Sequence, residues 1–227
     1  SFAQVMGNFP FLINIDHHPT NPFYGDLNLV NPEANSTSSL VFQLLRQMGH
    51  RPSCHASKAL FTGLVTDTGC FRFEGVNSAT FRLAAEMCES GIDSYQITQF
   101  LFEEHPRERL FLERQMLNRL RFLLDGKVAL SELYISDFEE IGASLTDAEN
   151  LVNKLRETKG VEVGILMTMA SEEMTRVSLR SKGRLDVAEI AAEFGGGGHR
   201  RAAGIKSSLD FHVLQDRLLA AIRKALP

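Results

Sequence analysis

The chain has 227 residues, of which 44% are hydrophobic and 23% charged, the composition of a globular protein able to bury one large core or two smaller ones. Its formal net charge of −4 excludes a surface that is basic throughout, so affinity for nucleic acid has to come from a local patch. Three cysteines, Cys54, Cys70 and Cys88, lack CxxC spacing, which excludes a disulfide scaffold and a cysteine-built zinc site and makes a reducing, cytoplasmic compartment the expectation. No apolar run is long enough to span a bilayer, so no membrane partner is expected.

Residues 1–15, SFAQVMGNFPFLINI, carry no charge. A stretch so apolar is normally covered, and the sequence is expected to begin inside a domain, on a strand lying under earlier chain. FLINI is short and apolar and runs into Asp16, His17, His18 and Pro19, which predicts a buried strand with a polar end. A loop rich in Asn, Pro and Gly follows. NSTSSLVFQLLRQMG then offers Ser and Thr capping candidates, an amphipathic run and a closing Gly49, the signature of a helix. In SKALFTGLVTDTG, Ala59, Leu60, Gly63 and Leu64 recur at helical spacing, so Asp67 falls in the last turn before Gly69, flanked by the hydroxyls of Thr66 and Thr68. SATFRLAAEMCESG predicts a helix capped by Ser78 and stopped by Gly91, and IDSYQITQFLFEE predicts another. From Arg107 to Asp125 apolar residues return every three or four positions, predicting one long amphipathic helix that opens at Pro106. After Asp125-Gly126 the pattern changes to the strand-like segments KVALSELYI, VEVGILMTM and MTRVSLRS, followed by a helical LDVAEIAAEF, four glycines and a strand AAGIK. The class is α/β, divided into residues 1–106, a connecting helix 107–125, and residues 126–227.

Two constellations carry chemistry. His17 and Asp67 supply an imidazole and a carboxylate from two element ends of one α/β layer, where such folds collect ligands. Mixed nitrogen and oxygen donors suit Mn²⁺, with Mg²⁺ as the alternative ion, and a metal centre of this kind activates water while neutralising a phosphate. Asp16 is expected to accept a histidine ring N–H and fix its tautomer, and His18 to meet the phosphate. The second constellation is GGGGHRRAAG, residues 195–204. Four glycines without Cβ atoms let backbone N–H groups approach an anion, His199 adds a donor, and Arg200 and Arg201 add charge. Arg180 and Ser181, at a strand end, suit a bidentate phosphate contact. Between Arg176 and Lys206 seven basic residues face three acidic ones. A solvated mixed-charge face and a plain glycine linker are the competing readings of this segment.

Taken in order, Asp16-His17-His18, GLVTDTG and GGGGHRRAAG resemble the DHH phosphoesterase superfamily with its DHH-associated C-terminal domain, in the oligoribonuclease and 3′-phosphoadenosine 5′-phosphate phosphatase branch, over essentially the whole chain. The resemblance implies a partial parallel-sheet DHH domain joined by a long helix to a smaller mixed-sheet domain. It also implies a Mn²⁺ centre with His17 and Asp67 as ligands and His18 at the active site. Arg180, Ser181, Gly197, Gly198 and His199 would hold the nucleotide, with Asn77 contributing from the first domain. Short RNA or nucleotides are the implied partners, and a homodimer is left open. The family's two earlier aspartate motifs have no counterpart in residues 1–15, so this chain is expected to bind metal weakly and without an ordered metal pair. The rivals are a cyclic dinucleotide phosphodiesterase of the same superfamily and a non-catalytic nucleic-acid-binding fragment, because a related C-terminal domain occurs in alanyl-tRNA synthetase.

Overall fold

The computed structural model describes residues 10–183 and 185–226; most of the expected apolar start and Arg184 of the basic segment lie outside them. The chain divides into two compact units, Ser1–Glu104 and His105–Pro227.

In the first unit, β1 (Ile13–Asp16) and β2 (Leu27–Val30) pair in parallel, with Asn14 opposite Asn28 and Asp16 opposite Val30. Among the described residues one face of β1 is buried and the other is exposed. Ile13 is 55% and Leu27 54% exposed, whereas Asn14 is only 2% exposed. Alternation places Asn14 and Asp16 on one face and the isoleucines on the other, and the inward face is the polar one. Asn14 Nδ2 donates to Asn28 Oδ1 across the pair at 2.9 Å and to Asn21 Oδ1 at 2.8 Å, so the buried amides are satisfied.

Four helices follow: α1 (Thr37–Gln47), α2 (Cys54–Asp67), α3 (Ser78–Cys88) and α4 (Ser94–Phe102). Their apolar stripes meet in a core that includes Phe42, Phe61, Leu64, Val65, Leu83 and Met87. At the close crossing of α1 and α2, a Cβ on Gly63 would lie 2.0 Å from Ser38 Oγ, so the packing depends on glycine there. The cap of α3 is Asn77, one residue before the expected Ser78. Its Oδ1 accepts from the N–H groups of Ala79 and Thr80, while Thr80 Oγ1 accepts the Asn77 N–H.

The second unit opens with α5 (Arg107–Asn118), shorter than the helix that the periodicity predicts over 107–125. Leu120, Phe122 and Leu124 fit an alternating pattern as well as a helical one. Arg121–Leu123 forms β3, antiparallel to β4 (Val128–Leu133), through a turn in which Leu124, Asp125 and Gly126 all have positive φ. The Asp-Gly hairpin signal outweighs helix continuation. Then come α6 (Ile135–Ile141), a 3₁₀ turn (Leu145–Ala148), α7 (Val152–Arg156), β5 (Val163–Ser171), β6 (Met174–Ser181), α8 (Val187–Glu193), β7 (Gly197–His199), β8 (Ala202–Ser207) and α9 (Phe211–Ala225). The sheet order is β3-β4-β5-β6-β8-β7, with β4 and β5 parallel and the other neighbours antiparallel.

Each face of this sheet has its own core. Val163, Ile165, Val177, Leu179, Ala203 and Ile205 pack against α8 and α9. On the opposite face, Leu112, Met116, Phe138, Val152 and Leu155 of α5, α6 and α7 pack on Ala129, Leu133 and Leu166 of β4 and β5, and β6, β8 and β7 contribute nothing to that cluster. Arg119, just after α5, is clamped to α6. Its guanidinium donates two bonds to the Asp137 carboxylate, at 2.6 and 2.8 Å, and lies 4.9 Å from the centre of the Tyr134 ring. Burial alone would raise the Asp137 carboxyl, but Arg119 and the Tyr134 N–H outweigh it and hold it below its ordinary value.

Candidate functional site

β1 ends at Asp16, and that carboxylate organises the turn behind it. Oδ1 accepts from the N–H groups of His17 at 2.7 Å and His18 at 3.2 Å and from His18 Nδ1 at 2.6 Å, while Oδ2 accepts from Asn21 Nδ2 at 2.6 Å. Burial would raise this carboxyl, yet the bonds from Asn21 and His18 and the two backbone N–H groups hold it well below the usual carboxylate range. The histidine ring expected to reach Asp16 is therefore that of His18.

His17 turns the other way. Its Nδ1 lies 3.1 Å from the Ala34 carbonyl oxygen, which can only accept, so a neutral His17 carries its proton on Nδ1 and its lone pair on Nε2. That Nε2 lies 3.5 Å from Asp67 Oδ2. Asp67 is the last residue of α2, and the expected trio of carboxylate and two hydroxyls does not form. Thr66 Oγ1 donates back to the Thr62 carbonyl at 3.1 Å, and the buried Thr68 Oγ1 donates to the Leu64 carbonyl at 2.7 Å. Only the carboxylate is presented. Burial raises its pKa, opposed by the His17 and His18 imidazoles.

The donor set suits part of a metal shell. A separation of 3.5 Å is long for a hydrogen bond. Two metal–ligand bonds of about 2.1 Å each bridge such a gap. An imidazole nitrogen with its other nitrogen tied to a carbonyl, beside a carboxylate, is donor chemistry that a divalent metal ion accepts. Two protein donors fill only part of that ion's coordination.

In the second unit, Arg180 lies opposite Ala202, and Ala202 opposite His199, so Arg180 and His199 stand in one cross-strand row on one face of the sheet. Arg180 Nη1 donates to the Leu179 carbonyl at 3.0 Å and Nη2 to Asn150 Oδ1 at 3.2 Å. Burial, and after it the charge of Arg156, lowers the Arg180 pKa. Ser181, expected to share a ligand with Arg180, faces the other way. It is 1% exposed, and its Oγ donates to the Arg200 carbonyl at 3.3 Å, so it ties down the turn after β7. Alternation along a strand makes a shared face for two consecutive residues unattainable.

The glycine run is only partly a loop: Gly195 lies in a turn and Gly196 outside any regular element. Gly197–His199 is the edge strand β7, paired to β8. Gly198 has φ 147°, and a Cβ there would lie 2.4 Å from the Ala202 carbonyl oxygen, whereas a Cβ on Gly197 would meet nothing within 4 Å. Strand pairing requires Gly198; within β7 the open space for a ligand is at Gly197, and in the turn before it at Gly195. Asn77 spends its Oδ1 on capping α3. Asn14, Asn21 and Asn28, the Ala34 carbonyl and Asn150 belong to these sites without standing in any of the motifs above. The asparagines at the second position of both INID and LNLV were the available signal.

A strand-end Asp-His-His turned toward a helix-end aspartate, with a mixed-sheet unit carrying an arginine and a Gly-Gly-His edge strand, defines the DHH class of proteins, and the chain belongs to the DHH superfamily. Residues 125–226 match the DHHA1 domain. The chain is 34% identical over 217 residues to the bifunctional oligoribonuclease and PAP phosphatase NrnA of Thermus thermophilus, covering 95% of this chain and 65% of that protein. It is 28% identical over 219 residues to the protein of the same name from Bacillus subtilis, covering 92% of this chain and 66% of that one. A crystal structure of an exopolyphosphatase-related protein from Bacteroides fragilis aligns with a TM-score of 0.85 at 29% identity, over 93% of this chain and 63% of that one. The chain thus spans just under two thirds of the length of these relatives.

Proposed function

We propose that the protein is a metal-dependent phosphoesterase that hydrolyses short oligoribonucleotides and 3′-phosphoadenosine 5′-phosphate, with Mn²⁺ or Mg²⁺ as its ion. The observation that carries this reading is His17 Nε2 facing Asp67 Oδ2 at 3.5 Å while Nδ1 is tied to the Ala34 carbonyl. The substrate class is supported by the names of the Thermus and Bacillus relatives, oligoribonuclease and PAP phosphatase.

His17 and Asp67 hold the ion in this reading. When bound, such an ion supplies Lewis-acid activation of water and neutralises phosphate charge. Asp16 keeps a proton on His18 Nδ1 and fixes the ring, so His18 meets the phosphate through Nε2. Arg180, oriented by Asn150 and the Leu179 carbonyl, and His199 in the same row hold the nucleotide. The test is hydrolysis of both substrates by the protein before and after chelation, with Mn²⁺ then restored. Activity lost on chelation and regained with Mn²⁺ supports the reading; undiminished hydrolysis after exhaustive chelation overturns it.

A further inference from the structure

The register of the second sheet builds another cationic row on the face that bears Arg180. Arg176 lies opposite Lys206, and between that row and the Arg180 row stand Ser178 and Gly204, with Gly197 beyond. Arg176 and Lys206 are both exposed. Two cations directly opposite on neighbouring strands repel, and among the described residues neither takes part in an ion pair with a carboxylate. A fold has no use for this pairing at an exposed position, where a neutral or acidic residue would serve one of the two places better. An anion lying across the pair turns the repulsion into a two-point contact.

We propose that Arg176 and Lys206 form a second anion subsite, which takes a downstream phosphate of a single-stranded oligonucleotide whose first nucleotide lies at the Arg180 row. This rests on the nucleotide reading given above. Arg176 and Arg180 are four residues apart on one strand, about 13 Å at 3.3 Å per residue. A stacked single strand advances about 3.4 Å per phosphate, so the second row is a few nucleotides from the first. The row between carries Ser178, Gly204 and Gly197, with the buried Leu166 of β5 opposite Ser178 on the other side, so no long side chain of this row bars the path over β8 and β7. A ligand of one nucleotide cannot reach both rows, so this subsite acts on longer substrates alone.

The experiment compares the protein with the double variant Arg176→Gln, Lys206→Gln and with Arg180→Ala. Each is titrated with a labelled pentaribonucleotide and with 3′-phosphoadenosine 5′-phosphate, and circular dichroism monitors folding. In the double variant the pentanucleotide should bind about tenfold more weakly at low salt. Its salt dependence should flatten by about 1.4 in slope, two contacts at about 0.7 each, while the mononucleotide should stay within about twofold. Arg180→Ala should weaken both ligands. If the double variant binds the pentanucleotide as the wild type does, or loses both ligands equally, the subsite is wrong while the nucleotide reading stands. If the wild type binds neither ligand, or Arg180→Ala changes neither, both fall.

Discussion

Gly198→Ala should destabilise the second unit by about 3 kcal/mol, whereas Gly197→Ala should leave it within about 0.5 kcal/mol of the wild type. At Gly198, φ is 147°, a region that a side chain enters at a cost of about 1–3 kcal/mol. The added Cβ would also lie 2.4 Å from the Ala202 carbonyl oxygen and 2.7 Å from Ala203 Cα. Those atoms are backbone of β8, so relief requires displacing a strand, at about another 1–3 kcal/mol. At Gly197 a new Cβ meets nothing within 4 Å. Urea denaturation followed by circular dichroism reads the difference, which corresponds to about 10 °C in the unfolding midpoint for a unit of this size. The folded Gly197→Ala protein then reports on ligand approach, because its added Cβ occupies open space; nucleotide affinity should fall while the urea midpoint holds. A Gly198→Ala protein as stable as the wild type would refute the strand geometry on which this reasoning depends.

Asp137→Asn should cost about 2–4 kcal/mol by leaving the Arg119 guanidinium without its two-bond partner. Because the Asp137 carboxyl is held below its ordinary value, the wild type has this stabilisation in full above the unfolded carboxyl pKa of about 3.9. It loses the stabilisation as pH falls through the lower folded value, so the two urea midpoints should converge on acidification below about pH 4. Asp16→Asn should reduce turnover by about ten- to a hundredfold with little change in KM, since it disturbs the His18 ring and turn without touching Arg180; steady-state kinetics measure both constants. Arg180→Ala should weaken nucleotide binding by about ten- to a hundredfold, the loss of one charge-assisted contact worth about 1.5–3 kcal/mol, as read by equilibrium titration.

The helices of the first unit were legible mainly through their apolar spacing, which also puts Asp67 in the last turn of α2; of the caps, Ser36 lies among the expected Ser and Thr candidates, whereas Ser53 stands four residues before the SKALFT run and Asn77 takes the place expected for Ser78. In β1, alternation turns Asn14 and Asp16 to the face that is buried among the described residues and Ile13 to the face expected to lie under earlier chain; a count of apolar residues hides the polar face. Residues 119–124 satisfied two periods at once, and long-range pairing with β4 decided between them. In the site, residue type alone pointed to His17, His18, Asp67 and Arg180. The Ala34 carbonyl that sets the His17 tautomer and the Asn150 side chain that orients Arg180 lie 17 and 30 residues away from their partners, and such tertiary contacts leave no local pattern. Ser181 is a different matter, since its opposite facing followed from its place next to Arg180 in a strand.

If the His17–Asp67 pair performs the chemistry while Arg180 and its row hold the nucleotide, Asp67→Ala separates the two functions when hydrolysis and equilibrium binding of one short oligoribonucleotide are measured on the same preparation. Turnover in Mn²⁺ should fall by at least about a hundredfold, with oligonucleotide affinity within about twofold of the wild type. Hydrolysis at the wild-type rate by the folded Asp67→Ala protein would contradict that role for the pair.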